Sequence, residues 1–207
     1  MLHLWIVSGC IGAGKSAALR AIESQNPSTH ICFVFKEGQD KWLFWLEKCR
    51  RDPTDLRCRL MLQMEVLAHY QRVTTRICEL AEKFPPEVDI HVLVERSPED
   101  VLKLFVEPFR YSFKGADETY ALLKGMMALY STLFPWSIAK RLYIHTPPAI
   151  CLQRIQKRGR VAEKDLKLEH IESQHAIHEE RMANHATIDT TDRTPAEVAE
   201  DMLGTMT

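Results

Sequence analysis

The sequence predicts an α/β fold, a central parallel five-stranded sheet flanked by helices, and three observations predict it. Short apolar runs recur at wide spacing along the chain, helical patterns fill the gaps between them, and a glycine-rich turn joins the first run to the first helix. Strands that alternate with helices imply βαβ units and hence parallel pairing.

Each element follows from its local pattern. "LHLWIVS" (2–8) is a short apolar run ending at Gly9, which suits a buried strand, and 15–24 then reads as a helix. "HICFVF", starting at His30, is the second strand, "DIHVLVE" (89–95) the third and "RLYIHT" (141–146) the fourth. "ATIDTT" (186–191) is a weaker fifth. The longest helical patterns run over about 55–83 and about 117–133, and "FPPE" (84–87) and "TPP" (146–148) mark turns. With no repeat, low-complexity tract or linker, 1–207 reads as one domain.

Bulk properties narrow the function classes. Apolar residues are 45% and charged residues 27% of the 207, ordinary for a globular protein with a substantial core. A formal net charge of -1 gives no overall field towards nucleic acid or a membrane surface. The six cysteines form no C-x-x-C pair, so a zinc ribbon or redox motif is not expected; reduced, buried thiols are. The first strand leaves no room before it for a signal or transit peptide, and no apolar run is long enough to span a bilayer. The expected location is therefore cytoplasmic.

Chemistry enters at "GCIGAGKS". Gly9, Gly14, Lys15 and Ser16 satisfy G-x-x-x-x-G-K-[ST], with Cys10, Ile11, Gly12 and Ala13 between. Glycines let the backbone curl so that successive N–H groups face phosphate oxygens, and the following helix adds its positive end. Lys15 is expected to neutralise the β- and γ-phosphates and the Ser16 hydroxyl to hold Mg²⁺. A GTPase would carry an Asn-Lys-x-Asp guanine reader; the two asparagines, Asn26 and Asn184, sit in no such motif. A small phosphotransferase is the simplest class that remains.

Two further segments fall where strands end, the edge at which open α/β sheets bind ligands. "VERSPED" begins at the end of the third strand. There Glu95 can hold a metal and Arg96 a transferring phosphoryl group, or the two form an ion pair beside a helix that S-P-E-D starts well. "KEGQDKW" follows the second strand, where Glu37 is either a general base for a hydroxyl nucleophile or an ordinary acid at a helix start. In "CLQRIQKRGRVAEKD", Arg154 and Arg158 share a helix face, Gly159 interrupts it and Arg160 follows at once. A lid over about 154–165 that closes on ATP is expected from this, since arginine forks bind phosphate oxygens. Acidic residues close behind make a nucleic-acid patch the weaker reading. His170, His175 and His178 read as ordinary helix residues.

Taken in order, "GCIGAGKS", "KEGQDKW", "LQMEVLAHY", "VERSPEDVLKLF" and "CLQRIQKRGRVAEKDLKLEHIESQHAIHEE" resemble the deoxyribonucleoside kinase family, whose thymidine kinase-like members are the nearest in pattern. The resemblance implies a P-loop kinase fold and transfer of the γ-phosphate of ATP, with Mg²⁺, to the 5′-hydroxyl of a deoxynucleoside in nucleotide salvage for DNA synthesis. It implies Glu37 as general base and Lys15, Arg96 and Arg158 as further catalytic groups. Trp42, Gln63, Val66, Tyr70, Arg96, Val101, Phe105 and Glu163 would bind the nucleoside, with Gln63 on the base edge, Phe105 stacked on the base and Glu163 at the 3′-hydroxyl. Arg154, Arg158 and Arg160 would be the lid arginines, and Ser16 and Glu95 the metal side. A homodimer built from long helices is also implied, and 117–133 is apolar enough to contribute.

Departures from the family pattern carry information. Cys10 stands where the family has a polar residue. The family's 3′-hydroxyl tyrosine is missing before Gln63, where Arg50 and Arg51 are the candidates to substitute. Members that accept deoxycytidine or purines carry Asp and Arg where this chain has Val101 and Tyr70. An apolar valine cannot pair with an exocyclic amine but tolerates a thymine methyl, so thymidine or another pyrimidine deoxynucleoside is the expected substrate. The competing expectations are a thymidylate-type monophosphate kinase and a non-catalytic scaffold with the same fold.

Overall fold

The computed structural model describes residues 1–25, 31–52, 55–107, 116–133 and 136–206. The chain forms two compact units. One comprises Met1–Lys36, Ala81–Arg96 and Ile138–Thr207, the other Glu37–Leu80 and Ser97–Ser137.

The first unit holds the sheet. Its strands are β1 (Leu2–Ser8), β2 (Ile31–Phe35), β3 (Ile90–Glu95), β4 (Lys140–His145) and β5 (Ala186–Asp189). All pairs are parallel and the order is β2-β3-β1-β4-β5. Every residue of β3 is buried, as is β1 from Leu4 onward, which is why these strands are near-continuous apolar runs in the sequence. All five expected strands are present. β1 is the switch point: the chain leaves it for β2 on one side and later returns to β4 on the other. The crevice for a ligand therefore opens at the carboxyl end of β1.

Helices of this unit bury periodic faces. In α1 (Lys15–Gln25) the buried positions Lys15, Ala18, Leu19 and Ile22 fall three and four apart. In α7 (Leu168–Met182) they are Ile171, Gln174, His178 and Met182. α6 (Pro148–Arg158) starts with Pro148 in its first turn and stops at Gly159, whose φ of 67° is the left-handed C-terminal stop expected of that glycine. α8 (Pro195–Thr205) opens on a reciprocal capping box between Thr194 and Glu197. One core gathers Trp5, Val7, Leu19, Leu142, Ile144 and Met202 with their neighbours.

The second unit is helical. α2 (Gln39–Arg51) and α3 (Leu56–Lys83, of which the last three residues belong to the first unit) precede the single turn α4 (Pro98–Asp100), a π-helical stretch Val101–Val106, and α5 (Ala116–Leu133). The Ser97 hydroxyl accepts from Asp100 N while the Asp100 carboxylate accepts from Ser97 N, so S-P-E-D starts a helix as expected. Leu67, Leu102, Tyr120, Leu123 and Met127 form the core here. Among the described residues no helix is long and apolar enough to cross a membrane. All six cysteines are free; Cys10, Cys49 and Cys151 are buried, whereas Cys32, Cys58 and Cys78 are only half-buried.

Candidate active site

The loop 9–14 joins β1 to α1 and is built against three neighbours in the first unit. A Cβ on Gly9 would lie 2.5 Å from the carbonyl oxygen of Ile144, and one on Gly12 would lie 2.5 Å from that of Cys151. Only glycine lets the loop approach β4 and α6 so closely. The Ala13 carbonyl is the anchor on the far side. The Thr190 hydroxyl lies 3.0 Å and the Thr146 hydroxyl 3.2 Å from it, and the two hydroxyls are 2.6 Å apart, so one donates to the other and the second can donate to the carbonyl. These contacts fix the loop's backbone from behind, and the Ala13 N–H closes a turn onto the Cys10 carbonyl at 3.2 Å.

Three charged groups line this loop. Lys15 is buried and donates from Nζ to the carbonyls of Gly9 (2.9 Å) and Cys10 (2.8 Å). The Ser16 hydroxyl donates to Glu95 Oε1 at 2.7 Å. The sheet register explains that meeting: Glu95, the last residue of β3, pairs with Val7 of β1, just ahead of the loop. Arg96 is buried too; it donates from its backbone N to Val7 and from Nη2 to the Gly9 carbonyl at 3.3 Å. Its φ of 62° makes it the one non-glycine residue with left-handed backbone among the described residues. Such a conformation costs on the order of 1–2 kcal/mol and persists where the surroundings impose it, characteristically at functional sites. Lys15 and Arg96 thus bring two buried cations, and Glu95 one buried carboxylate, to the loop. The hydroxyl and carboxylate oxygens of Ser16 and Glu95 are hard donors of the kind Mg²⁺ takes.

Cys10 does not add to the lining. Its thiol lies in the apolar core, directed at the Ile171 carbonyl 3.7 Å away. Burial, helped by neighbouring Cys151, pushes it up from the ordinary 9.0 to about 12, against the opposing pull of Lys15 and Arg96. It is a neutral core side chain, and this position serves the loop through its backbone alone.

The arginine-rich segment divides into two roles. Arg154 donates from Nη1 to the Thr190 hydroxyl (3.0 Å) and from Nη2 to the carbonyls of Thr190 (2.6 Å) and Thr191 (3.1 Å), with Nη1 also 3.5 Å from the Ala13 carbonyl. Its fork thus braces the back of the loop. Arg158 and Arg160 instead share Glu163, whose Oε2 accepts from Arg158 Nε at 3.1 Å and whose Oε1 lies 3.5 Å from Arg160 Nη1. Glu163 is 5% exposed and the two arginines 33% each, so the acid is an inner post on which two outer cations hang.

In the second unit Trp42 and Tyr70 are buried, and the edge of His69 meets each ring, with centroids 5.4 and 5.3 Å away. Gly38 packs here as well, since a Cβ on it would sit 3.1 Å from His69 Nδ1 and 3.6 Å from the Trp42 ring. Gln63 lies on the buried stripe of α3 with Leu67 and Tyr70, and its Oε1 is buried without a hydrogen-bond partner among the described residues. Val101 is buried at the start of the π-helical stretch, and Phe105, four residues on, is half-buried. Val66 and Glu37 are half-buried, Arg50 and Arg51 fall in the last turn of α2, and Arg51 is exposed.

A model of the deoxynucleoside kinase family matches residues 5–203. The chain belongs to this family. The stretch similar to human "Thymidine kinase 2, mitochondrial" is 34% identical over 95 residues, 46% of this chain and 36% of the relative. The macaque protein of that name (Macaca fascicularis) matches to the same extent, so in these alignments the chain spans about a third of the relatives' length. A protein of Frog virus 3 named "Putative deoxynucleoside kinase" is 27% identical over 169 residues, 82% of this chain and 77% of its own.

Against the sequence expectations, the family's phosphate loop, Ser16 with Glu95, and Arg96 are assembled as one cluster. Cys10 and Arg154 differ, the first turned into the core and the second bound to protein carbonyls. Glu163, expected at a sugar hydroxyl, has both oxygens engaged by Arg158 and Arg160. Sequence reasoning passed over Thr146, Thr190 and His69. The signal for His69 was present in "LQMEVLAHY", next to Tyr70; Thr146 and Thr190 follow the ends of β4 and β5, the same edge that gives Glu95.

Proposed function

We propose that this chain catalyses ATP-dependent phosphorylation of the 5′-hydroxyl of a deoxynucleoside, thymidine or another pyrimidine deoxynucleoside being preferred. The observation that carries the acceptor class is the buried, unpartnered Oε1 of Gln63. A buried amide oxygen without a donor costs about 1–3 kcal/mol, and an amide offers acceptor and donor together, which matches the N–H and O edge of a pyrimidine. Trp42 and Phe105 supply flat apolar faces for a base, and buried, apolar Val101 suits a thymine methyl better than an exocyclic amine.

On the donor side, loop N–H groups and Lys15 hold the triphosphate, Lys15 exchanging its bonds to the Gly9 and Cys10 carbonyls for phosphate oxygens. Mg²⁺, held by Ser16 and Glu95, would neutralise charge on the phosphates when bound. Arg96 stabilises the charge on the phosphoryl group in transit, and Arg158 and Arg160 cover it and exclude water. Glu37 accepts the 5′-hydroxyl proton as that oxygen attacks. Glu163 keeps the lid arginines oriented, and Arg50 or Arg51 stands in at the 3′-hydroxyl. Leu122 and Leu129, exposed and seven residues apart on α5, support a dimer through a face other than the core face of Tyr120, Leu123 and Met127.

The test is a phosphorylation panel across the four deoxynucleosides and their monophosphates with ATP and Mg²⁺. Thymidine should be phosphorylated, thymidylate should not, and Glu37→Gln should abolish transfer while ATP and thymidine still bind. Preference for thymidylate would overturn the acceptor; preference for a purine deoxynucleoside would overturn the base assignment, and preference for deoxycytidine over thymidine would overturn the role given to Val101.

A further inference from the structure

The first unit carries a second cluster of ligating groups that the phosphate chemistry does not use. His145 ends β4, and His175 and Glu179 lie one turn apart on α7. One ligand atom from each lies within 4.8 Å of the other two. Glu179 Oε1 is 3.7 Å from His175 Nε2 and 3.9 Å from His145 Nε2, and the two rings meet edge to face at 5.2 Å. Around a zinc ion at 2.0–2.2 Å, ligand atoms stand roughly 3.3–3.5 Å apart, so the contacts to Glu179 need to close by only about half an ångström and the widest separation in the set by up to about 1.5 Å.

What surrounds these three groups is as telling as their spacing. Asp189 pairs with His145 in the sheet register, and its Oδ2 lies 3.3 Å from His145 Nδ1. Its other oxygen accepts from Thr191 N (2.7 Å) and the Thr191 hydroxyl (2.6 Å), which fixes the carboxylate. A carboxylate on Nδ1 places the proton there and leaves the Nε2 lone pair directed at the cluster, the outer-shell arrangement of histidine metal ligands. Tyr143 donates its hydroxyl to Glu179 Oε1 at 2.7 Å and so orients the acid. His175 Nε2 is buried with no hydrogen bond among the described residues, while Glu179 is half exposed, which gives an inner wall and an open side for entry.

The geometry points to a zinc site formed by His145 Nε2, His175 Nε2 and Glu179 Oε1, with Asp189 and Tyr143 as its outer shell. Two imidazoles and one carboxylate suit Zn²⁺ and not Mg²⁺, which prefers oxygen and water. Such an ion ties β4 to α7 and, through Asp189, to β5. It sits one residue before Thr146, whose hydroxyl anchors the Ala13 carbonyl, so it stiffens the floor of the phosphate loop without touching phosphate.

The experiment uses the full, tag-free chain stripped with chelator. Calorimetric titration with Zn²⁺ is expected to show one saturable site, Co²⁺ to give the visible absorption of a low-coordinate N/O site, and Zn²⁺ to raise the melting temperature where Mg²⁺ alone does not. His175→Ala and Glu179→Gln should each weaken Zn²⁺ binding by about tenfold or more, as loss of a ligand does, while exposed His185→Ala should leave it unchanged. Glu179→Gln keeps an acceptor for Tyr143, so it separates ligand loss from misfolding, and circular dichroism of the metal-free variants checks the fold. No saturable Zn²⁺ binding by the unaltered chain, or full binding by folded Glu179→Gln and His175→Ala, overturns the proposal.

Discussion

Replacing Gly12 by alanine tests how the phosphate loop is built. Two costs add. At φ 84° an alanine pays the left-handed penalty, roughly 1–2 kcal/mol. Its Cβ would also lie 2.5 Å from the Cys151 carbonyl oxygen where ordinary contact begins near 3.4 Å, so backbone must yield by about 0.9 Å. Overpacking against backbone costs about 1–3 kcal/mol, and the stiffer unfolded chain returns about 0.4–1 kcal/mol. The net expectation is a loss of about 2–4 kcal/mol. Gly159→Ala is the control: it has left-handed φ 67° but nothing within 4 Å of the added Cβ, so only about 1 kcal/mol should go. In urea unfolding the Gly12 variant should lose at least twice what the Gly159 variant loses. At roughly 2–4 °C per kcal/mol for a chain of this size, melting should separate them by several degrees. Equal stability of the two variants would refute the close approach of loop and α6.

Other expectations rest on single contacts. Thr190→Val removes the 3.0 Å hydrogen bond to the Ala13 carbonyl and the Thr146 partner, and should cost about 1–3 kcal/mol in thermal unfolding; an unchanged melting temperature would argue against the anchor. The Cys10 thiol, raised in the folded state to about 12, contributes stability below the ordinary 9.0 that is lost as pH rises towards 12. Cys49, raised to about 11 chiefly by burial, acts in the same direction. Stability should thus fall above about pH 9, and Cys10→Ala should flatten that fall; an identical alkaline slope in the variant would remove Cys10 as its source. Under native conditions at pH 8, iodoacetamide should label half-buried Cys78 well before Cys10 by mass spectrometry.

The strands were legible because parallel strands covered on both faces are unbroken apolar runs, and even "ATIDTT" was found from its place in the alternation. Their order was not legible, since nothing local in "HICFVF" or "DIHVLVE" says that β3 lies between β2 and β1. The Ser16–Glu95 contact was readable as a motif plus a strand end at one sheet edge. Arg154 was not, because the spacing of arginines is the same whether a guanidinium meets phosphate or protein carbonyls. Thr190 was beyond reach for a related reason: its partner Ala13 is 177 residues away, and a threonine after a strand has no signature of its own. His175 and Glu179 stand one helical turn apart in the sequence, but the third group, His145, ends a distant strand and carries no local signal that it joins them.

Cys10 illustrates how this loop distributes its work. A polar side chain at that position would have to be satisfied inside an apolar core, at a cost of about 1–3 kcal/mol if it were not. A cysteine packs there as a small hydrophobe, and its raised pKa keeps it uncharged beside Lys15 and Arg96. The loop can accept that residue because the position serves through its backbone, whose course is set by where the carbonyls are tied. Gly9 against Ile144, Gly12 against Cys151 and the Ala13 carbonyl under Thr146, Thr190 and Arg154 do that tying. Substitution at Cys10 is therefore a question for the core, and substitution at Thr190 or Arg154, outside the motif, is a question for phosphate. The second class should alter nucleotide affinity more than the first for an equal loss of stability, and nucleotide titration of Thr190→Val beside Cys10→Ser decides it.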